Sequence, residues 1–227
     1  MNQNSGAIAL VGSGEYSVQM QELETELLHL AISRGKKNTF VQIPTASSHE
    51  GEASRAKWKR LGKEQSDRIG SECVYLPIHE RADAFNQDFI EAIEGAGLIY
   101  FSGGDPHRVA EIFRDSPLWK KIVEQWRSGS SLAGCSAGAM AFGGTIMGIR
   151  KSHHSPGLAL LPDIEVIPHF DKMLGWLPDR VAAFIGQNIS QSTLLGIDEN
   201  TALVLTDAWR KFGRGKVHVL RGVLEVI

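Results

Sequence analysis

Ser131-Leu132-Ala133-Gly134-Cys135-Ser136-Ala137-Gly138-Ala139-Met140-Ala141-Phe142 is the stretch whose reading decides the fold. A short apolar run enters a G-x-S-x-G turn, and an alanine-rich run with helical character leaves it. A strand–turn–helix unit of this kind lifts a serine hydroxyl clear of a sheet and into a cleft. Its small residues serve that geometry. Gly134 and Gly138 let the strand and helix backbones close on each other, and Ala137 keeps its N–H free to face a developing oxyanion. Ser136 is the candidate nucleophile.

Outward from that unit, short apolar runs alternate with longer amphipathic ones. Residues 7–11, 39–43, 73–78, 97–101 and 131–133 read as buried strands, and 18–34, 52–69, 84–94 and 106–127 as helices. The last helix is expected to break near Asp115-Ser116-Pro117, with Pro117 opening a new one. Ser17 stands where an N-cap belongs, and Gly35 follows a helix end. Such alternation implies an α/β three-layer sandwich, a mostly parallel sheet flanked by helices. After residue 144 the rhythm changes. Residues 145–149 and 164–167 read as strands, 172–186 as a helix, and 194–197, 202–206, 216–220 and 223–227 as short strands. The tail is a C-terminal β meander added to the α/β core. With no linker, repeat or low-complexity stretch, residues 1–227 read as a single domain.

Composition bounds the function. The 227 residues are 42% hydrophobic and 22% charged, enough for a substantial core. A net charge of −2 and a pI near 6.4 offer no electrostatic case for nucleic acid or an anionic membrane. The apolar run 7–11 is too short for a signal segment or a membrane span. Cys73 and Cys135 lie in separate apolar runs, as buried thiols in a reducing compartment would, so the cytoplasm is expected.

Metal and cofactor signals are missing from the sequence. The two cysteines are far apart, and His79-Glu80-Arg81-Ala82-Asp83 puts Asp83 where a zincin needs histidine. Gly12-x-Gly14 has Ser17 at the third position of a dinucleotide fingerprint, and no acidic residue ends the second strand. The basic segment 55–68 carries Trp58, Leu61 and Gln65 on one face, the pattern of a solvated helix surface. No metal and no cofactor are expected.

In parallel sheets, ligands bind beyond the carboxyl ends of the strands. Four loops of small or polar residues fall there: Gly12-Ser13-Gly14-Glu15, Pro44-Thr45-Ala46-Ser47-Ser48, Ser102-Gly103-Gly104-Asp105 and the serine turn. The Gly103-Gly104 pair is either a tight βα turn or a source of N–H groups completing an oxyanion hole with Ala137. A serine nucleophile also needs a base, normally histidine. Among eight histidines, His169 follows a strand and opens on the same edge as Ser136, while His153 and His154 lie in the preceding loop.

Taken in order, these segments resemble the serine peptidase family of dipeptidase E and the cyanophycinases, with a class I glutamine-amidotransferase-like fold. The match adds Gly157-Leu158-Ala159-Leu160-Leu161-Pro162, Pro168-His169-Phe170 and Gly196-Ile197-Asp198-Glu199-Asn200-Thr201-Ala202 to the loops above. The resemblance implies Ser136 as nucleophile, His169 as general base, and an oxyanion pocket from the Gly103-Gly104 turn with the Ala137 N–H. It implies a small peptide or amide substrate, an acidic one in the known peptidases, and a homo-oligomer.

Two departures sharpen the question. The family's acidic third residue is absent from the loop 148–157, and Asp163 and Glu165 are the only acids between Ser136 and His169. Asp198, Glu199 or a backbone carbonyl is left to orient His169. Pro106 stands where cyanophycinases commonly have glutamine. Arg150, Lys151, His153 and His154 would place positive charge near the pocket and suit an acidic substrate. Two functions follow: a serine hydrolase, or a catalytically silent module that binds a small ligand. A glutamine amidotransferase would need cysteine at position 136, and the Cys135 thiol is expected to point away from the cleft.

Overall fold

In this computed structural model, which describes residues 4–148, 154–176 and 192–226, the apolar runs form a sheet buried on both faces. The first half contains β1 (Ile8–Val11), α1 (Gln21–Ser33), β2 (Thr39–Ile43), α2 (Glu52–Arg68), β3 (Glu72–Tyr75), α3 (Gln87–Ala92) and β4 (Leu98–Phe101). Then follow α4 (Pro106–Phe113), α5 (Pro117–Arg127), β5 (Ser131–Cys135), α6 (Ala137–Phe142), β6 (Thr145–Ile146) and β7 (Ser155–Pro156). The remainder holds β8 (Ile164–Ile167), α7 (Phe170–Trp176), β9 (Thr193–Ile197), β10 (Thr201–Leu205), β11 (Trp209–Gly213) and β12 (Val217–Arg221).

The main sheet has seven strands in the order β11-β10-β1-β5-β4-β2-β3. The five from β1 to β3 in that order are parallel, and β10 and β11 extend the β1 edge antiparallel. The C-terminal strands divide between two sheets: β9 runs parallel to β8, and β12 returns antiparallel to β9. The half-buried Arg221 guanidinium, on the buried Glu165 carboxylate at 2.5 Å, ties β12 to β8.

Alternation along the strands creates two cores. Ile8 and Leu10 of β1 join one, Ala9 and Val11 the other. On the first face Phe101 meets Phe113 of α4 at 5.1 Å and Phe142 of α6 at 5.3 Å, both edge-on. On the second face Leu23 and Leu27 of α1 pack with Phe40 and Tyr100. Each such side chain contributes about 1.5–3 kcal/mol by leaving water. Trp58 and Leu61 of α2 pack on this second core, while the Arg60–Glu64 and Lys63–Asp67 pairs face outward.

The helices break where local hydrogen bonding competes. Ser116 accepts the Trp119 N–H at 3.1 Å and starts α5, with Asp115 at φ +60° before it. Residues 84–94 divide into a 3₁₀ turn, Arg81–Phe85, and α3, because the Asn86 side chain accepts the Asp88 N–H at 2.9 Å. Ser17 precedes a 3₁₀ turn and makes no capping bond. Strand β3 stops at Tyr75, and β6 covers only two of the residues 145–149. Strand β11 was not expected because Arg210 and Lys211 interrupt its apolar pattern at a sheet edge. Within 223–227 the described residues contribute one bridge, Trp209 to Val226, and no strand. Helix α7 covers the start of 172–186, the rest of which lies outside the described residues. Among the described residues no helix is long and apolar enough to cross a membrane.

Candidate active site

Two adjacent carbonyls at the end of β1 organise the site. Val11 accepts the N–H of Ser136 at 2.8 Å, and Gly12 accepts that of His169 at 3.2 Å. Residues far apart along the chain are thereby fixed side by side at the carboxyl edge of the sheet. Ser136 sits at φ +49° and ψ −105°, a sparsely populated conformation for a residue with a side chain. This is the sharp turn the motif requires. A Cβ at Gly134 would lie 2.6 Å from the Gly138 carbonyl carbon, so that glycine admits the helix onto the strand. One at Gly138 would lie 2.7 Å from the Phe101 carbonyl oxygen, so this glycine clears the neighbouring strand β4.

The Ser136 hydroxyl lies 3.0 Å from His169 Nε2. On the other side of the ring, His169 Nδ1 lies 2.9 Å from Glu199 Oε1. A carboxylate on Nδ1 favours the tautomer that carries the proton there and turns the Nε2 lone pair to the hydroxyl. Glu199 follows β9, and its own N–H donates to Asp171 Oδ1 at 3.0 Å. Asp198, the other acid considered, does not reach the imidazole. Its carboxylate accepts the Lys216 N–H at 2.8 Å and contacts His218 Nε2 at 3.1 Å. The turn sends neighbouring side chains in different directions. Glu165 is taken by Arg221, Asp163 is exposed, and His154 is half-buried in the loop. Arg150, Lys151 and His153 lie outside the described residues.

Beneath the serine turn lies Glu15, whose role the sequence did not disclose. It accepts the Gly103 N–H at 2.9 Å through Oε1 and the Cys135 thiol at 3.0 Å through Oε2. Cys135 is fully buried, and burial, then the Glu15 carboxylate, push its thiol well above the ordinary range. The Gly103 N–H is therefore engaged, which removes it from the expected oxyanion donors. The N–H groups of Gly104 and Ala137 have no hydrogen-bond partner among the described residues. Gly104 is held at φ +138° against the Pro44–Ser48 loop, and the next N–H, that of Asp105, donates to the Ala46 carbonyl at 2.9 Å.

A pocket of about 220 Å³ opens on Ser136, His169 and Gly104. Its wall includes His107, whose Nδ1 lies 2.6 Å from Ser155 Oγ, and His49 from the second strand-end loop. Neither was singled out from the sequence, since His107 lies in the first turn of α4 and His49 in a loop, and only folding brings the two to one pocket. Among the described residues no group of three or more His, Cys, Asp or Glu could hold a metal ion.

The strand order thus sets a serine elbow at the end of β5 beside an imidazole from the end of β8. The chain belongs to peptidase family S51, whose profile matches residues 8–211. It is similar to the cyanophycinase of Synechococcus elongatus, with 26% identity over 96% of this chain and 68% of that protein. The cyanophycinase of Trichormus variabilis is 27% identical, over 94% of this chain and 73% of its own. The crystal structure of a peptidase from an acI-B1 actinobacterium superposes with a TM-score of 0.91 at 46% identity, over 96% of this chain and 92% of that one.

Proposed function

We propose that this single-domain chain is a serine-type peptidase that cleaves a small peptide or amide through an acyl-enzyme. The observation that carries the proposal is the unbroken line Ser136–His169–Glu199, with contacts of 3.0 and 2.9 Å. His169 Nε2 takes the Ser136 proton as Oγ bonds to the substrate carbonyl carbon, and the carbonyl electrons move onto oxygen. The N–H groups of Gly104 and Ala137 stabilise that oxyanion. Its collapse breaks the C–N bond, and the proton on His169 leaves with the amine. Water then attacks the ester, giving one proton to His169, and the released Ser136 recovers it. Glu199 keeps Nδ1 protonated and stabilises the imidazolium.

The pocket volume of about 220 Å³ favours a substrate of one or two residues. Glu199 also answers the strongest argument for a silent binding module, the missing acid in the loop 148–157. The cytoplasm and a homo-oligomeric state belong to the same proposal. The test is reaction with a fluorophosphonate followed by peptide mass spectrometry. Phosphonylation at Ser136, lost in Ser136→Ala, is the expected result; an unmodified wild type would overturn the peptidase reading and favour the silent module.

A further inference from the structure

The His169 and Glu199 side chains are 32% and 30% exposed, so burial alone does not hold the imidazole and the carboxylate together. Their main chains do. His169 has φ +51°, and Asn200, next to Glu199, has φ +50°. Such backbone persists where surrounding bonds over-determine it. On the histidine side, the Gly12 carbonyl accepts the His169 N–H, and the His169 carbonyl accepts those of Lys172 and Met173 at 3.0 and 2.8 Å. On the acid side, both ends of Glu199 are engaged. Its carbonyl accepts the Thr201 hydroxyl at 3.1 Å, and its N–H donates to Asp171 Oδ1 at 3.0 Å.

Asp171 therefore spans the two turns. It lies two residues beyond the base, in the first turn of α7, and its carboxylate grips the main chain of the acid. The second oxygen, Oδ2, faces Lys172 Nζ at 3.9 Å, which leaves Oδ1 to Glu199. From this geometry we infer that Asp171 is a positioning residue of the triad, acting through Glu199 by clipping the acid's turn to the helix that follows the base. The inference rests on the peptidase reading above and deepens it. A carboxylate orients the imidazole while it stays within hydrogen-bond reach of Nδ1, so a shift of the 198–201 turn by an ångström breaks the contact. Asp198 is no substitute, because its carboxylate is spent on the Lys216 N–H and His218.

The role is tested by the rate constant for phosphonylation of Ser136 by a fluorophosphonate in Asp171→Ala, Asp171→Ser and Asp171→Asn, each alone and combined with Glu199→Gln. Asp171→Asn keeps an acceptor at Oδ1 and should stay within about 3-fold of wild type. Asp171→Ala should lose about 10–100-fold, the scale of a small misplacement near the chemistry. Asp171→Ser keeps a polar first turn but falls short of the Glu199 N–H; it should match alanine, and it serves if the alanine variant does not fold. With Glu199→Gln already present, each of these two should cost less than about 2-fold more, because residues acting as a unit are not additive. A contribution through folding or helix charge alone would cost the same factor in both backgrounds, or slow Asp171→Asn as much as alanine. Either result overturns the inference, as does a wild-type rate in Asp171→Ala. In each of those cases a labelled wild-type Ser136 leaves the peptidase reading standing, whereas an unlabelled wild type overturns both.

Discussion

Glu199 Oε1 stands 2.9 Å from His169 Nδ1, and this contact supplies the carboxylate missing from the loop before the histidine. Glu199→Gln should lower kcat by about 10²–10⁴-fold with little change in KM, because an amide neither fixes the tautomer nor stabilises the imidazolium. Asp198→Asn should leave kcat within a few-fold, since Asp198 faces His218 and the Lys216 N–H. Steady-state kinetics on one cleaved dipeptide compare the two. Equal losses in both variants would remove Glu199 from its place behind the ring.

Glu15 links the serine turn to the Gly103-Gly104 turn through its two carboxyl oxygens. Glu15→Ala leaves the Gly103 N–H without its partner and frees the turn that carries Gly104. The expected loss in kcat is about 10²-fold, the scale of an ångström-sized misplacement. Glu15→Gln keeps an acceptor for Gly103 and should recover most of it. If both variants kept full activity, this link would have no part in holding the site.

Gly138→Val places a branched side chain against the Phe101 backbone, where even Cβ would lie 2.7 Å from the carbonyl oxygen. Overpacking of this kind destabilises by about 1–3 kcal/mol or more. For a chain of this size that lowers the melting temperature by roughly 2–4 °C per kcal/mol. Calorimetry should show the drop, and unchanged melting would contradict the close β4–α6 packing.

Burial raises the Glu24 carboxyl from 4.5 to about 8. Between those values the unfolded chain ionises while the folded one keeps its proton. The unfolded state binds fewer protons, so stability falls as pH rises through this window and levels off above it. Glu24→Gln, a neutral isostere, removes that decline. Relative to wild type it should gain on the order of 3 kcal/mol near pH 7 and nothing near pH 4. Urea denaturation at the two pH values checks this, and an equal offset at both would contradict it.

The sheet and the pair Ser136 and His169 could be read in the sequence for a physical reason. Strands buried on both faces are continuous apolar runs, and their ends mark where side chains converge. The choice between Asp198 and Glu199 could not. Both stand in one turn, and the path of that turn, with Asn200 at φ +50°, decides which one meets the imidazole. Glu15 was quoted in its loop without a role because its partner Gly103 lies 88 residues away. The three methionines that line the pocket were equally hidden. Met140 comes from α6, Met173 from α7 and Met147 from just after β6, and no local pattern joins them.

The measurement that most directly tests the account is the rate constant for phosphonylation of Ser136 by a fluorophosphonate in wild type and in His169→Ala. A proton-accepting imidazole 3.0 Å from the hydroxyl should make the wild type faster, the expected factor for a general base being about 10²–10⁴. Equal rate constants in the two proteins would show that Ser136 reacts without His169 and would contradict the account.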